Sequence, residues 1–330
     1  MNFYNNHTKL FSSALAFFLV LTLIICILPA LNNEKINKPL PGSKALTESE
    51  YNGRAVYIRE GCVACHTQQV RNVDMDQVFG NRPSLAVDYA WNKRLNLWQN
   101  TATLMGTERT GPDLISIGTR QPSKEWQYTH LYNPRAVVPE SIMPSYKWLF
   151  IVKDQLGPGD VEVNIPEQFR SGIKGKIVPS KDAEDLVAYL LSLQQAELPK
   201  SIVPREFLYK AKEKPAAAGG GGSNLPDGGT LYTANCASCH QASGEGLAAA
   251  FPPLKGSPIV VGEDLELFVT IIMKGYDPRP EYAAMPAVGT NASLTPEQVA
   301  ALINHERSSW GNSAEPVTAE QVKAIMDKIK

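Results

Sequence analysis

Cys62-Val63-Ala64-Cys65-His66 and Cys236-Ala237-Ser238-Cys239-His240 are two copies of one five-residue frame, and they decide the fold of this 330-residue chain. The frame Cys-x-x-Cys-His is typical of covalent heme c attachment. Thiols three residues apart lie on one side of a helical turn, where both can form thioethers with the vinyl groups of one porphyrin. The histidine that follows then faces the iron as its proximal ligand. The sequence therefore predicts two covalently bound hemes c.

Redox and zinc sites also use paired cysteines. A Cys-x-x-Cys pair can form a redox dithiol or half of a zinc site. A dithiol belongs in a thioredoxin-like βαβ pattern, which this sequence lacks. A zinc site needs a second pair of ligands nearby, whereas these pairs are far apart and each ends in histidine. The two frames taken together favour heme.

One domain pattern repeats around the two frames. Upstream of each, a Gly-x-x-x-Tyr step predicts a short helix that delivers the cysteines, at Gly53 to Tyr57 and at Gly228 to Tyr232. Each copy closes with an amphipathic helix, predicted at Asp182 to Gln194 and at Pro296 to Ser308. Thr295 is the expected N-cap of the second, with proline at its first position. The fold class is therefore mainly α, with two cytochrome c-like helical domains.

The repeat also selects the second axial ligands. A heme that only transfers electrons needs a ligand opposite its histidine, and a methionine thioether there raises its potential. Met143 lies 31 residues after Pro112, and Met285 lies 32 residues after Pro253. Among the seven methionines, only these two occupy equivalent places in both copies. The competing ligands are the imidazoles of His130 and His305, for which a structural or surface role is the commoner reading.

A proline and a leucine recur shortly before each of these methionines. Gly111-Pro112-Asp113-Leu114 matches Phe251-Pro252-Pro253-Leu254. A backbone carbonyl that accepts the Nδ1 proton of the proximal histidine fixes the ring and raises its basicity. Pro112 and Pro253 are the candidates for this contact, with a simple turn proline as the alternative. Leu114 and Leu254 would then pack on the porphyrin.

An apolar segment at residues 10–31 carries no charge and is long enough to cross a bilayer, which takes about 20 helical residues. A cleaved signal peptide is the alternative, but Leu28-Pro29-Ala30 is a poor cleavage signal. We expect a retained transmembrane anchor between a cytoplasmic N-terminus, 1–9, and a juxtamembrane segment, 32–48. Because c-type heme attachment takes place outside the cytoplasm, both heme domains should lie on the periplasmic side of a bacterial inner membrane.

The predicted domains are 49–196 and 225–330, joined by a linker at 197–224 whose glycine-rich part predicts flexibility. We therefore expect the second domain to be a tethered module. The first domain has long insertions, since 46 residues separate His66 from Pro112, against 13 from His240 to Pro253. A second insertion covers roughly 153–178. The first is rich in aromatic residues and arginine, the composition of a protein interface: Phe79, Arg82, Tyr89, Trp91, Arg94 and Trp98.

The charge of the chain excludes one class of partner and suggests another. The net charge is −1 and no basic run is present, so we expect no binding to nucleic acid. Residues 225–330 contain 12 acidic and 7 basic residues. An acidic domain suits a basic soluble electron donor, although a solvated surface explains the same bias.

Three stretches of the first domain are specific enough to indicate a family. They are Gly53-Arg-Ala-Val-Tyr-Ile-Arg-Glu-Gly-Cys62, Arg109-Thr-Gly-Pro-Asp-Leu114 and the run from His130 to Tyr146. Together they resemble the monoheme subunit II of cbb3-type cytochrome c oxidases. The resemblance covers residues 1–195. It implies heme c on Cys62, Cys65, His66 and Met143. It also implies docking on a heme–copper catalytic subunit that reduces oxygen to water and pumps protons.

Residues 225–330 depart from that family and resemble a small single-heme cytochrome c domain of the kind fused to oxidases and dehydrogenases. The expected function is an electron relay from a cytochrome c or a quinol-oxidising complex, through both hemes, to the oxidase. No catalytic residue is expected on this chain. The alternatives are the cytochrome subunit of a nitric oxide reductase, a diheme peroxidase and a membrane-bound shuttle with no fixed partner.

Overall fold

The computed structural model describes residues 3–36, 38–93, 104–199, 201–208, 225–248, 250–279 and 282–329. The chain divides into two compact units. The first comprises Met1–Leu46 with Leu85–Thr103, and the second comprises Thr47–Ser84 with Leu104–Lys330. Both five-residue frames lie in the second unit.

The described part of the chain is mainly helical, as predicted. In chain order its α-helices are α1 His7–Leu21, α2 Leu28–Ile36, α3 Glu48–Arg59, α4 Ala86–Lys93, α5 Ile117–Arg120, α6 Lys124–Tyr132, α7 Lys181–Leu191, α8 Gly228–Asn235, α9 Ala237–His240, α10 Pro258–Val261, α11 Leu265–Lys274, α12 Val288–Asn291, α13 Pro296–Ser308 and α14 Ala319–Lys328. Two strands, β1 Phe150–Lys153 and β2 Lys176–Pro179, form an antiparallel pair. Short 3-10 turns cover Phe3–Asn5, Cys62–Ala64, Asp74–Phe79, Pro134–Ala136, Lys147–Leu149 and Glu167–Phe169.

The first unit contains a continuous helical run of 30 residues, His7–Ile36, which is long and apolar enough to cross a membrane. The Asn6 side chain caps its start by accepting a hydrogen bond from the Lys9 amide. A π-helical stretch, Thr22–Ile27, joins α1 to α2 just before Pro29. A proline has no amide hydrogen for the helical ladder, so a local change of helical type is expected near it. The same unit contains α4.

The first domain is built on the crossing of α3 and α7. Thr47 and Glu50 form a capping box at the start of α3. Buried residues of α3, among them Tyr57, pack on Leu186 and Tyr189 of α7, and the two tyrosine rings lie 5.6 Å apart. This crossing fixes the direction in which α3 delivers the cysteines that follow it.

The second domain repeats the crossing with α8 and α13. As predicted, α13 begins with Thr295 as N-cap and Pro296 at its first turn. Gln298 completes a capping box there. The sequence analysis did not predict α10, α11, α12 or α14. The expectation that the helix at Pro296–Ser308 closes this domain was wrong, because α14 follows it and buries Val322 and Ile325 in the core that α8, α11 and α13 share.

Contacts within the first domain hold its two insertions in place. The Phe79 ring is faced by the guanidinium groups of Arg109 and Arg120, at 5.3 and 5.5 Å. Arg82 is buried and donates a hydrogen bond to the Ala196 carbonyl. Phe79 and Arg82 therefore serve inside the domain, whereas the predicted interface residues Arg94 and Trp98 lie outside the described residues. The pairing of β1 with β2 closes the ends of the second insertion.

The two domains are docked on each other in this structure. Trp126 and Val137 of the first form one buried apolar cluster with Ala250 and Phe251 of the second. Of the predicted linker, 209–224 lies outside the described residues, and its glycine run falls there. Docking brings the second frame against the first domain.

Candidate heme-binding sites

The first frame follows a sharp break at the end of α3. Gly61 has φ +73°, a left-handed conformation that glycine adopts without steric cost and that commonly ends helices. The chain then enters the 3-10 turn Cys62–Ala64. The amides of Cys65 and His66 both donate to the Cys62 carbonyl, at 3.2 and 3.0 Å. This single turn carries both thiols and the imidazole.

The second frame forms the same turn. The amides of Cys239 and His240 donate to the Cys236 carbonyl at 3.1 and 3.0 Å. Here the turn is α9, which follows α8 directly. The two frames are therefore one structural element used twice.

Both frame histidines are held by a proline carbonyl. His66 Nδ1 lies 2.8 Å from the Pro112 carbonyl oxygen, and His240 Nδ1 lies 2.9 Å from that of Pro252. A carbonyl can only accept, so Nδ1 carries the proton and Nε2 keeps its lone pair for a metal. Burial lowers the pKa of both imidazoles, which favours the neutral form that binds iron.

The contact at Pro112 is the one expected, but the prediction of the same role for Pro253 was wrong. The acceptor is the carbonyl of Pro252, one residue earlier. In the four-residue match Pro252 occupies the place of Pro112, and Pro253 occupies that of Asp113. Successive residues of an extended segment face opposite ways, so only one of the two prolines can present its carbonyl to the imidazole. Pro253 instead lines the neighbouring cavity.

At Cys62, Cys236 and Cys239 the thiol pKa is shifted in the direction opposite to that of a redox dithiol. Burial raises the pKa of Cys62 and of Cys239 to about 12, and raises that of Cys236 well above its usual value. Redox-active dithiols need the opposite shift, because the thiolate is the reactive species. Within the described residues, no group of three or more His, Cys, Asp or Glu is placed to hold a metal ion.

A cavity of about 550 Å³ adjoins the first frame, within the range of about 300–1,000 Å³ that is usual for cofactor sites. Its wall contains all six residues predicted for the first site, which are Cys62, Cys65, His66, Pro112, Leu114 and Met143. Two thiols that can attach the porphyrin, with a neutral imidazole and a thioether that can ligate its iron, are the groups that bind heme c. The residues of the first site fit that group in both chemistry and space.

The second frame has the same donors in a tighter setting. Cys236, His240 and Met285 line a space of about 70 Å³ together with Pro253 and Leu254. A second space of about 40 Å³ is lined by the same three residues and Cys239. The donor set fits heme c. The surrounding side chains must spread to admit a porphyrin.

The two methionine loops are held by different means. Arg135 donates to the carbonyls of Ser141 and Met143, at 3.0 and 3.1 Å, and to the Ser145 hydroxyl. Met285 is instead fixed by two backbone hydrogen bonds of 2.9 Å with Tyr276. Arg135 belongs to a stretch that the sequence singled out, but its role as a clamp is visible only in three dimensions.

The competing histidines occupy different environments. His130 lines the first cavity and stacks on Trp126, with ring centroids 4.5 Å apart. Its Nδ1 is buried with no hydrogen-bond partner among the described residues, and burial lowers its pKa to about 3. His305 lies in an aromatic cluster with Tyr232 and Trp310. It does not line either space at the second frame.

A buried ionic network that the sequence analysis did not predict stabilises the first site. Asp113 accepts hydrogen bonds of 2.6 Å from the Thr67 hydroxyl and the backbone N–H of Gln69, which lie one and three residues after His66. Arg109 joins this group to the buried carboxylate of Asp76 at 2.7 Å. The network ties the segment after the frame to the segment that carries Pro112. The sequence feature that could have predicted this network is the pair of opposite charges, Arg109 and Asp113, within residues 109–114.

Two family models match the chain. The model for the cytochrome c oxidase mono-heme subunit, FixO, covers residues 2–195, and the model for cytochrome c covers residues 226–310. Cytochrome c domains bind heme c covalently, so heme c is a cofactor of this chain. Two cytochrome-like regions are consistent with two hemes.

Individual relatives are also cytochromes. Cytochrome c-552 of Thermus thermophilus is 35% identical over 113 residues, which cover 31% of this chain and 86% of the relative. The cytochrome c subunit of a quinone-dependent alcohol dehydrogenase from Gluconacetobacter polyoxogenes is 36% identical over 127 residues, or 37% of this chain. The match spans only 26% of that subunit. These relatives support electron transfer as the shared activity.

Proposed function

Because the chain belongs to the FixO family of cytochrome c oxidase mono-heme subunits, we propose that it is a diheme electron-transfer subunit of a cbb3-type heme–copper oxidase. The observation that carries the diheme assignment is the repeated turn, in which each histidine donates Nδ1–H to a proline carbonyl. The proposed heme ligands are Cys62, Cys65, His66 and Met143 in the first domain, and Cys236, Cys239, His240 and Met285 in the second.

In the proposed relay, electrons enter at the second domain, pass to the first and leave for a catalytic subunit in the membrane. The heme supplies a one-electron couple at each site. The protein's own residues would hold it: the thiols of the two frames would attach it, and His66, Met143, His240 and Met285 would ligate the iron. We assign oxygen reduction to the partner. This chain supplies no catalytic residue.

The N-terminal helical run is the proposed anchor of this subunit. His7–Ile36 has the length and apolar character of a membrane span. Heme c is attached outside the cytoplasm, so both domains would face the periplasm of a bacterial inner membrane. Anchoring keeps the first domain beside a membrane-embedded partner.

The rim of the first cavity offers a surface for that partner. Val138 and Ile142 line the cavity, and the Ile142 side chain is 78% exposed. Exposed apolar residues beside a cofactor commonly mark a docking surface. The acidic second domain would suit a basic electron donor.

The test is purification of the native complex through a tag on this chain, followed by counting heme c, other hemes and copper. We expect two hemes c per chain and a copper-containing partner. In a C236A/C239A variant one heme c per chain should remain. A complex with non-heme iron and no copper would point to a nitric oxide reductase. Peroxide turnover by the isolated chain would point to a peroxidase, and either result would overturn the proposal.

A further inference from the structure

The second frame is hydrogen-bonded directly to the first domain. The indole Nε1–H of Trp126, in α6, donates to the Ser238 carbonyl over 3.0 Å. Ser238 lies between Cys236 and Cys239, so this bond reaches the attachment turn itself. Trp126 is buried at this contact. The first domain therefore contacts the second at the place where its heme would be attached.

A second polar contact and an apolar cluster surround this bond. The side-chain amide of Gln121 donates a hydrogen bond from Nε2 to the Ser238 hydroxyl at 2.9 Å. The Oε1 atom of the same amide lies 3.9 Å from the Cys239 sulfur. Trp126 packs with Ala250 and Phe251 of the second domain. The contact thus combines buried apolar side chains with satisfied hydrogen bonds, as a specific interface requires.

Trp126 also reaches the first site. Its ring is stacked on the His130 imidazole at an interplanar angle of 10°. Both rings line the cavity that holds His66 and Met143. Ser238 lines the same cavity, so the two domains share one wall at this point.

We propose that Trp126 is the contact through which the second domain passes its electron to the first, an inference that rests on the diheme relay proposed above. In this step one electron leaves ferrous iron at the second site and reduces ferric iron at the first, and no bond or proton moves. The chain's task is to hold the sites together and to offer a continuous path. The path runs from Cys239 through the Ser238 backbone, across the hydrogen bond to the Trp126 indole and on to the wall of the first cavity.

The residue type suits this task. Tryptophan alone combines the largest aromatic ring with a single N–H donor, and a buried indole N–H needs a partner. Here that partner belongs to the other domain. A tryptophan required only to pack α6 would not need a partner across the interface.

The test compares two variants of the full heme-loaded chain. Trp126→Phe keeps an aromatic ring and removes the donor. The matched control is Trp148→Phe, because Trp148 is 63% exposed and donates to Glu60 within the first domain. The rate of electron exchange between the two hemes would be followed after flash reduction. We expect it to fall several-fold in Trp126→Phe and to remain at the wild-type value in Trp148→Phe.

A second readout does not depend on electron transfer. Amide hydrogen exchange at 236–240 reports whether the attachment turn is docked. Losing one net hydrogen bond, worth about 1 kcal/mol, should reduce protection there by about fivefold in Trp126→Phe. The control should leave it unchanged.

The proposal is overturned if Trp126→Phe exchanges electrons as fast as Trp148→Phe. It is also overturned if the slower exchange comes with altered heme spectra or potentials, because the sites themselves would then have changed. Absence of electron exchange in the wild-type chain would instead reject the relay, whatever the role of Trp126.

Discussion

A Cβ atom on Gly228 would overlap the carbonyl oxygen of Ala301, so α8 and α13 meet backbone to backbone where they cross. A Cβ atom on Gly53 would likewise overlap the Asp185 carbonyl oxygen, where α3 crosses α7. Each glycine lies four residues before a buried tyrosine and shortly before a frame cysteine. The close crossing is therefore what sets the position of each attachment turn.

This relationship predicts that Gly228→Ala destabilises the second domain. The added methyl must push α13 away, and such overpacking costs about 1–3 kcal/mol, more than the gain in helix propensity of about 1 kcal/mol. Gly229→Ala is the control, because a Cβ there meets its neighbours no closer than 3.4 Å. Chemical denaturation should show a loss for the first variant and a neutral or stabilising effect for the second. Equal effects would contradict the crossing.

The axial ligands predict two separable spectral changes. Met143→Ala should abolish the methionine–iron charge-transfer band of one heme and leave that of the other, and Met285→Ala should do the reverse. Met75→Ala is the control, since the Met75 side chain is 63% exposed and does not line the cavity beside either frame. Absorption and magnetic circular dichroism spectra would measure the change. An unaltered spectrum in Met143→Ala would move the assignment to His130, which lines the same cavity.

The clamp on the first methionine loop predicts an asymmetric effect. Arg135→Ala leaves the carbonyls of Ser141 and Met143 without this donor, at a cost of about 1–3 kcal/mol for each carbonyl that stays unsatisfied. Methionine ligation should weaken at the first heme only, because backbone hydrogen bonds to Tyr276 hold Met285. Reductive titration with spectral deconvolution would show this.

Arg59→Ala provides the comparison for that variant. The Arg59 guanidinium is more than half exposed and pairs with Glu60 and Asp182, neither of which belongs to a methionine loop. It should leave both spectra unchanged. A loss of ligation at both hemes in Arg135→Ala would contradict the local clamp.

Glu306 predicts a pH-dependent stability. Burial beside Cys236 raises the pKa of this carboxyl to about 8 in the folded chain. The ordinary pKa of a glutamate carboxyl is 4.5. Between pH 4.5 and about 8, this carboxyl is therefore protonated in the folded protein and ionised in the unfolded chain. The stabilisation is complete below pH 4.5 and declines as the pH rises to about 8, by at most about 1.4 kcal/mol per pH unit.

Glu306→Gln should remove this dependence. Denaturation of both proteins at pH 5, 6.5 and 8 would measure it, and the wild type should lose stability relative to the variant as the pH rises. Parallel curves would show that Glu306 titrates normally.

Much of the candidate site was predictable because its chemistry depends on local spacing. Both Cys-x-x-Cys-His frames of this chain form one hydrogen-bonded turn, which the Cys62 and Cys236 carbonyls close. The start of α13 was equally local, since Thr295 and Pro296 cap the helix through their own neighbours. The choice between Pro252 and Pro253 was not local. It depends on which carbonyl the tertiary path presents to His240.

By itself, the sequence determined the two attachment turns, their helical setting and the apolar N-terminal span, because each depends on residues within a few positions of one another. The tertiary structure alone decided what these parts meet. It brought Asp113 into hydrogen bonding with Thr67, and Arg135 with the Met143 carbonyl. It also brought the Ser238 carbonyl to the Trp126 indole, although these two residues are 112 positions apart in the chain. No local pattern encodes such pairs, because their energy exists only after distant segments have packed and excluded water.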